Sequence, residues 1–328
     1  MSGRPGRPAR ILVTGAGGFV GRHMLVALRT AFPEAALIGA RRHMSEGPLS
    51  GADETVELDI DDGASMVDAV AAVRPDAVLH LAAYADVGAS FRNQPAVWRT
   101  NVLGTVALGE AVLQAAPGAS FLMASSGEVY GLAFQSSQSV AEDTLLAPAN
   151  PYAASKAAAD LAVGEMALRG LRAVRLRTFT HTGAGQANSF SVAAFAHQIA
   201  RIEAGRQPAV LRTGALDRWR DFLDVRDVCS AYVAALSKAD LLAPGVALNI
   251  CSGTPRRIGD ILQTLLRLSG VEAAVEQDAA RLRPTDVERV RGNSGLARQV
   301  LGWSPLIPWE ETLSSVLTDW RARVAAGE

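Results

Sequence analysis

The stretch that most constrains this chain lies near its start. Three apolar residues, Ile11-Leu12-Val13, run straight into Thr14-Gly15-Ala16-Gly17-Gly18-Phe19-Val20-Gly21, and an apolar, periodic segment follows over residues 22–30. The apolar residues predict a strand, the glycines a tight turn and the periodic segment a helix. In that order the three bring bare backbone and a helix N-terminus to one point. Missing side chains let a pyrophosphate approach, and the helix terminus favours its charge. The spacing Gly15-x-x-Gly18-x-x-Gly21 therefore predicts a dinucleotide site formed by Gly15, Gly18, Phe19, Val20 and Gly21. A ligand-free strand-to-helix turn could use the same residues, so the rest of the chain must discriminate.

The same alternation recurs along the chain. A second strand is expected at 36–40, a third at 56–60, a fourth at 77–83, a fifth at 120–124 and a sixth at 172–179. Helices are expected at 65–73, from Asn101 to about residue 116, and from Tyr152 to about residue 169. The run Ala77-Val78-Leu79-His80-Leu81-Ala82-Ala83 is almost continuously apolar, as a strand covered on both faces requires. Regular alternation of strand and helix predicts an α/β fold with a doubly wound, parallel Rossmann sheet and a ligand at the carboxyl ends of its strands. Leu81, Ala82 and Ala83 stand at such an end, where small residues let a cofactor cross, and His80, upstream of it, reads as a core histidine.

After residue 179 the pattern changes to a helix at 190–204, a strand at 208–212, a helix reaching 237, a last main-sheet strand at 247–251 and a mostly helical remainder. The chain thus divides into a Rossmann domain of residues 10–178 plus 217–252 and a smaller substrate-binding lobe of 179–216 plus 253–328.

The second strand ends in Arg41-Arg42, where an NAD site usually has an acid for the ribose hydroxyls. Arginines there accommodate a 2′-phosphate, so NADPH is favoured and NADH left open; two solvated loop arginines are the plainer alternative. Asp59, followed by Ile60, stands where an acid could take the adenine amino group.

Composition bounds the partners. A net charge of -1 gives no global pull toward nucleic acid or an anionic membrane. No apolar run is long enough to span a bilayer, and the basic, Gly/Pro-rich first ten residues lack the apolar stretch of a signal peptide. Two cysteines, Cys229 and Cys251, build no disulfide framework, and no Cys/His cluster offers a metal site. A cytoplasmic protein is expected.

The chemistry is carried by Pro151-Tyr152-Ala153-Ala154-Ser155-Lys156. On a helix Tyr152 and Lys156 lie one turn apart on one face, so an ammonium can stand beside a phenol and lower its pKa. The same spacing also arises from a buried tyrosine beside a solvated lysine.

With Gly15-x-x-Gly18-x-x-Gly21, Asp59, Leu81-Ala82-Ala83, Asn101, Ser126, Tyr152-x-x-x-Lys156 and Arg220-Asp221-Phe222 in this order, the chain resembles the extended short-chain dehydrogenase/reductase family of nucleotide-sugar-modifying enzymes over nearly its whole length. The resemblance implies catalysis by Ser126, Tyr152 and Lys156, with NADPH delivering hydride to a sugar ketone, Tyr152 protonating its oxygen, and Lys156 binding the nicotinamide ribose and lowering the tyrosine pKa. It implies sugar-nucleotide binding by Ser126, Thr180, Phe190, Arg220 and Arg283, the arginines at the diphosphate.

Within the family the segments Arg177-Thr178-Phe179, His181, Gly185-Gln186 and Leu282-Arg283-Pro284 are most similar to reductases of GDP-linked 4-keto-6-deoxy sugars, which implies formation of GDP-D-rhamnose. Three residues depart from that pattern: Thr180 replaces an asparagine, His197 a lysine and Ala184 a proline. A 4,6-dehydratase, with Glu128 as base, and a 4-epimerase remain alternatives, as does a cofactor sensor that would have no need of Ser126, Tyr152 and Lys156 together. The resemblance also implies a homodimer built on the helices near 102–116 and 152–169.

Overall fold

A computed structural model describes residues 8–44, 47–136, 139–282 and 285–328. The first half alternates as expected: β1 (Arg10–Thr14), α1 (Phe19–Ala31), β2 (Ala36–Arg41), β3 (Glu54–Glu57), α2 (Met66–Val73), β4 (Ala77–His80), the short helices α3 (Val87–Ser90) and α4 (Gln94–Trp98), and α5 (Thr105–Ala115). Then come β5 (Ser120–Ser126), α6 (Ala133–Ser136), α7 (Pro151–Leu168) and β6 (Arg172–Thr178). The second half is made of β7 (Thr180–Thr182), α8 (Ser191–Glu203), β8 (Val210–Thr213), β9 (Trp219–Asp224), α9 (Val225–Ser237), β10 (Val246–Ile250), β11 (Pro255–Arg257), α10 (Ile258–Ser269), β12 (Ala274–Gln277), α11 (Gly295–Leu301) and α12 (Trp309–Ala325).

Seven strands form one parallel sheet in the order β3-β2-β1-β4-β5-β6-β10. The order reverses between β1 and β4, so the connections at their carboxyl ends diverge there and leave a crevice into which the glycine turn opens. Strand alternation supplies both cores. Ile11 and Val13 point to the layer with α1 and α9, while Leu12 points to the layer with α2, α5 and α7. The third core packs α8, α10 and α12 around Leu211 and Phe222. Among the described residues no helix is long and apolar enough to cross a membrane.

Several expectations shift. The third strand stops at Glu57 instead of reaching residue 60, because Asp59 folds into a turn in which its carboxylate accepts the Asp61 N–H at 3.0 Å. The fourth strand stops at His80, leaving residues 81–83 beyond the sheet. The helix expected from Asn101 is entered through a π-helical turn, Arg99–Gly104. An extra residue per turn aims the Asn101 side chain inward, where its amide bonds both backbone groups of Tyr84 and the Ser155 hydroxyl. The segment around Arg220 is itself a strand, β9, sandwiched between β7 and antiparallel β11 in a separate three-stranded sheet.

Candidate active site

A cleft of about 1130 Å³ runs from the glycine turn, across the tips of β1, β4 and β5, to the region of α8, β8 and β9. Gly15 sits at φ +68°, and a Cβ there would lie 2.7 Å from the Ala82 nitrogen, so the first turn and the β4 tip close on each other only through glycine. A side chain at Gly21 would strike the Gly15 carbonyl. The chain enters α1 at Phe19, three residues earlier than the apolar period predicts, and no acidic residue occupies the first turn of that helix. Its free N–H groups and partial positive charge are left for an anion.

Arg41, at the end of β2, donates to the Gly47 carbonyl, and its guanidinium lies beside Gly17 in the turn. Arg42 faces Asp59 at 3.5 Å and Asp61 at 3.6 Å. Arg42 and Asp59, read from sequence as separate contacts, thus touch each other. Ile60 and residues 81–83 line the same end of the cleft. A glycine cradle that any Cβ would fill, an open helix N-terminus and two guanidiniums fit a dinucleotide with an additional phosphate.

Behind this cradle His80 is locked in a chain of hydrogen bonds. The Ala82 N–H donates to the Thr14 hydroxyl, which lies 2.8 Å from His80 Nδ1; His80 Nε2 lies 2.9 Å from the Thr105 hydroxyl, which donates to the Asn101 carbonyl. Since Thr105 spends its proton on that carbonyl, Nε2 carries the imidazole proton and Nδ1 accepts from Thr14. Burial, with the Lys156 charge adding to it, lowers the His80 pKa to about 3. His80 is a structural histidine in the core.

The three residues expected to be catalytic converge where β5 ends and α7 begins. Asn150 caps α7, its side chain accepting the Ala153 N–H at 2.8 Å, and Pro151 occupies the first turn. This fixes the helix start one residue ahead of Tyr152. Ser126, the last residue of β5, accepts the Glu128 N–H at 3.1 Å and hydrogen-bonds the Tyr152 phenol. Lys156, 4% exposed, donates to the Ala124 carbonyl. All three line the cleft, with Glu128 beside them.

The electrostatics depart from expectation. Burial pushes the Tyr152 phenol up to about 12; the Ser126 hydrogen bond pulls against this and the Glu128 charge adds to it. The expected lowering by Lys156 is not what governs it. Burial also lowers Lys156, to about 8, against the pull of Asp160.

Asp160 is one residue that sequence reasoning missed. It is fully buried on α7, one turn beyond Lys156, and accepts from the Ser125 hydroxyl at 2.6 Å, from Arg175 at 2.9 Å and from Arg177 at 2.9 and 3.1 Å. Arg177 also donates to the Tyr130 hydroxyl and the Glu142 carbonyl. Two guanidiniums on β6 thus tie α7 to the sheet. An aspartate four after Lys156, and Arg175 and Arg177 alternating with apolar residues in the middle of β6, were visible signals, but only the packing shows that they meet.

At the far end of the cleft stand Thr180, on β7, and Phe190, at the entrance to α8. Arg220 is buried; it donates to the carbonyls of Trp219 and Val287 and pairs with Asp286. A buried guanidinium requires such partners, so Arg220 is held within the wall of the cleft. Arg283 lies outside the described residues. Arg212, Arg218 and Arg281 line this end as well and were not singled out from sequence. His197 packs against Trp320 with ring centroids 4.5 Å apart and lies 3.1 Å from the Asn188 side-chain amide.

The GDP-mannose 4,6-dehydratase family model matches residues 12–316. GDP-6-deoxy-D-mannose reductase of Pseudomonas aeruginosa (strain PAO1) is 37% identical over 317 residues, covering 96% of this chain and 98% of the relative. UDP-glucose 4-epimerase of Rhizobium leguminosarum bv. trifolii is 29% identical, covering 95% and 97%. The structure of RMD from Pseudomonas aeruginosa complexed with NADPH superposes with a TM-score of 0.83 at 34% identity, covering 96% of this chain and 99% of that one. The chain belongs to the GDP-mannose 4,6-dehydratase family of extended short-chain dehydrogenase/reductases.

Proposed function

We propose that this protein reduces the C4 ketone of a nucleotide-linked 4-keto-6-deoxy sugar with NADPH, converting GDP-4-keto-6-deoxy-D-mannose to GDP-D-rhamnose. The observation that carries the reading is the meeting of Ser126, Tyr152 and Lys156 in a cleft that begins at a glycine cradle flanked by Arg41 and Arg42. The similarity to a GDP-6-deoxy-D-mannose reductase supports the substrate. In this division of labour residues 10–178 plus 217–252 serve NADPH, and residues 179–216 plus 253–328 serve the sugar nucleotide.

Bound NADPH supplies hydride equivalents to the ketone carbon. The chain's residues handle the oxygen. A phenol with a pKa near 12 keeps its proton at neutral pH, and a sugar alkoxide is a stronger base than the resulting phenolate, so Tyr152 can complete the reduction by giving up its proton. Ser126 holds the carbonyl oxygen beside Tyr152. Lys156, fixed by the Ala124 carbonyl, places an ammonium beneath the site that can hold a ribose hydroxyl and favour the developing phenolate. Asp59, Ile60, Leu81, Ala82 and Ala83 shape the adenine end and the strand tips, with Phe19 and Val20 at the turn. Thr180, Phe190, Arg220 and Arg283 are assigned to the sugar nucleotide, Arg220 as a wall residue held by Asp286.

The assembly we propose is a cytoplasmic homodimer. Its support is the exposure of Leu103, Leu161 and Leu168 along the helices that the family resemblance assigns to the dimer contact, and two buried free thiols, which suit a reducing compartment.

Glu128 favours a second reading. Its carboxylate lies close enough to raise the Tyr152 pKa, where a dehydratase would place a base. The test is NADPH oxidation with GDP-4-keto-6-deoxymannose, followed by NMR of the product. Oxidation giving GDP-D-rhamnose is expected. Activity confined to a dTDP- or UDP-linked keto sugar would overturn the substrate, and conversion of GDP-mannose to a 4-keto product without added reduced cofactor would establish the dehydratase.

A further inference from the structure

A second cavity of about 620 Å³ opens beside the far end of the cleft and shares Ala194, Arg212 and Arg281 with it. The two-stranded sheet of β8 and β12 contributes to its wall, with Arg212 directly opposite Glu276 in a parallel register. Residues so paired leave the sheet on the same face, about 4.8 Å apart between strands, and both line the cavity. Among the described residues neither side chain has a hydrogen-bond or ion-pair partner. The Arg212 backbone, by contrast, is held on both sides. Gln198, buried on α8, accepts the Arg212 N–H at 2.8 Å and donates to the Arg212 carbonyl at 3.1 Å.

A rigidly seated strand thus presents an uncommitted donor fork next to an uncommitted acceptor. The complement is a planar group carrying acceptors on one side and paired donors on the other. Guanine is such a group, with O6 and N7 as acceptors and N1–H and N2–H₂ as donors. Uracil and thymine place a single N3–H between two carbonyl oxygens, which a carboxylate repels. Adenine offers one amino group and no neighbouring ring N–H. We infer that Glu276 and Arg212 form a guanine-reading subsite that selects the base of the sugar nucleotide, an inference that rests on the proposed nucleotide-sugar activity. Glu276 accepts from N1–H and N2–H₂, and Arg212 donates to the O6 side.

Calorimetric titration of the NADPH-loaded protein with GDP and with UDP tests this, comparing the unaltered protein with Glu276→Gln and Arg212→Gln. Glu276 is exposed, so its replacement leaves the fold intact, which matching thermal melts would show. The unaltered protein is expected to bind GDP at least tenfold more tightly than UDP. Losing charge-assisted hydrogen bonds to the base should weaken GDP about 10- to 100-fold in Glu276→Gln, with UDP and NADPH binding unchanged. Arg212→Gln should also weaken GDP more than UDP. A GDP preference that survives in Glu276→Gln overturns the subsite and leaves the nucleotide-sugar activity standing, as does equal binding of GDP and UDP by the unaltered protein. Binding of neither nucleotide overturns both.

Discussion

At the scale of single residues, the site is governed by what burial does to a phenol and an amine. Tyr152 near 12 stays protonated across the neutral range, so its removal should be felt in chemistry and hardly at all in binding. Tyr152→Phe is expected to lower kcat by roughly 10²- to 10⁴-fold, with NADPH affinity unchanged in a fluorescence titration. Turnover close to normal would show that Tyr152 is not the proton donor. Lys156 loses its charge as pH rises through about 8. The kcat/KM for reduction should therefore fall on the alkaline side with a midpoint near that value, and a flat profile to about pH 10 would show that the ammonium is dispensable.

His80 makes the opposite prediction, about stability. Its folded pKa of about 3 lies below the ordinary 6.5, so the unfolded chain binds the extra proton between these values. Its contribution is fully present above pH 6.5 and is lost as pH falls toward 3, up to roughly 5 kcal/mol over the whole window. Urea denaturation at about pH 7 and about pH 5 should show a smaller acid-side loss in His80→Gln than in the unaltered protein.

At the scale of elements, α7 carries Tyr152 and Lys156, and β6 holds that helix through Asp160. Asp160→Asn would leave Arg175 and Arg177 facing no carboxylate, at a cost of about 3–5 kcal/mol for breaking a buried ion pair from one side. A urea midpoint unchanged by this substitution would show that the network is not what anchors the helix. The first turn is equally specific. Gly15→Val adds a branched side chain at a positive φ and against the Ala82 backbone, and NADPH affinity should drop by at least about tenfold. Legibility from sequence varied among these elements. The glycine turn, the helix at Tyr152 and the returning strand β10 were readable because each rests on local spacing. The π-helical turn before α5 and the small sheet of β7, β9 and β11 were not, because an inward Asn101 and strand partners distant in the chain decide them.

At the scale of the whole molecule, the carboxyl ends of the sheet strands and the second half of the chain enclose the cleft, and the association of two copies is a separate question. Leu161 and Leu168, 61% and 89% exposed, lie two helical turns apart on the outer side of α7, an apolar stripe suited to a second copy. Leu161→Glu with Leu168→Glu should halve the mass measured by light scattering while leaving the thermal melt of the monomer cooperative. A monomer in the unaltered protein at micromolar concentration would remove the dimer from the reading.

The sequence by itself determined the parallel doubly wound sheet, the glycine turn and the helix that sets Tyr152 one turn from Lys156. These depend on residue types at short, fixed spacings and on strands apolar enough to be covered on both faces. Tertiary structure alone decided the charges and partners. Burial sets Tyr152 near 12 and Lys156 near 8 where spacing suggested mutual adjustment, Asp286 holds Arg220 in the wall, and the register of β8 with β12 sets Arg212 beside Glu276. Desolvation and pairing depend on residues far apart in the chain, and spacing along one strand or helix carries no record of them.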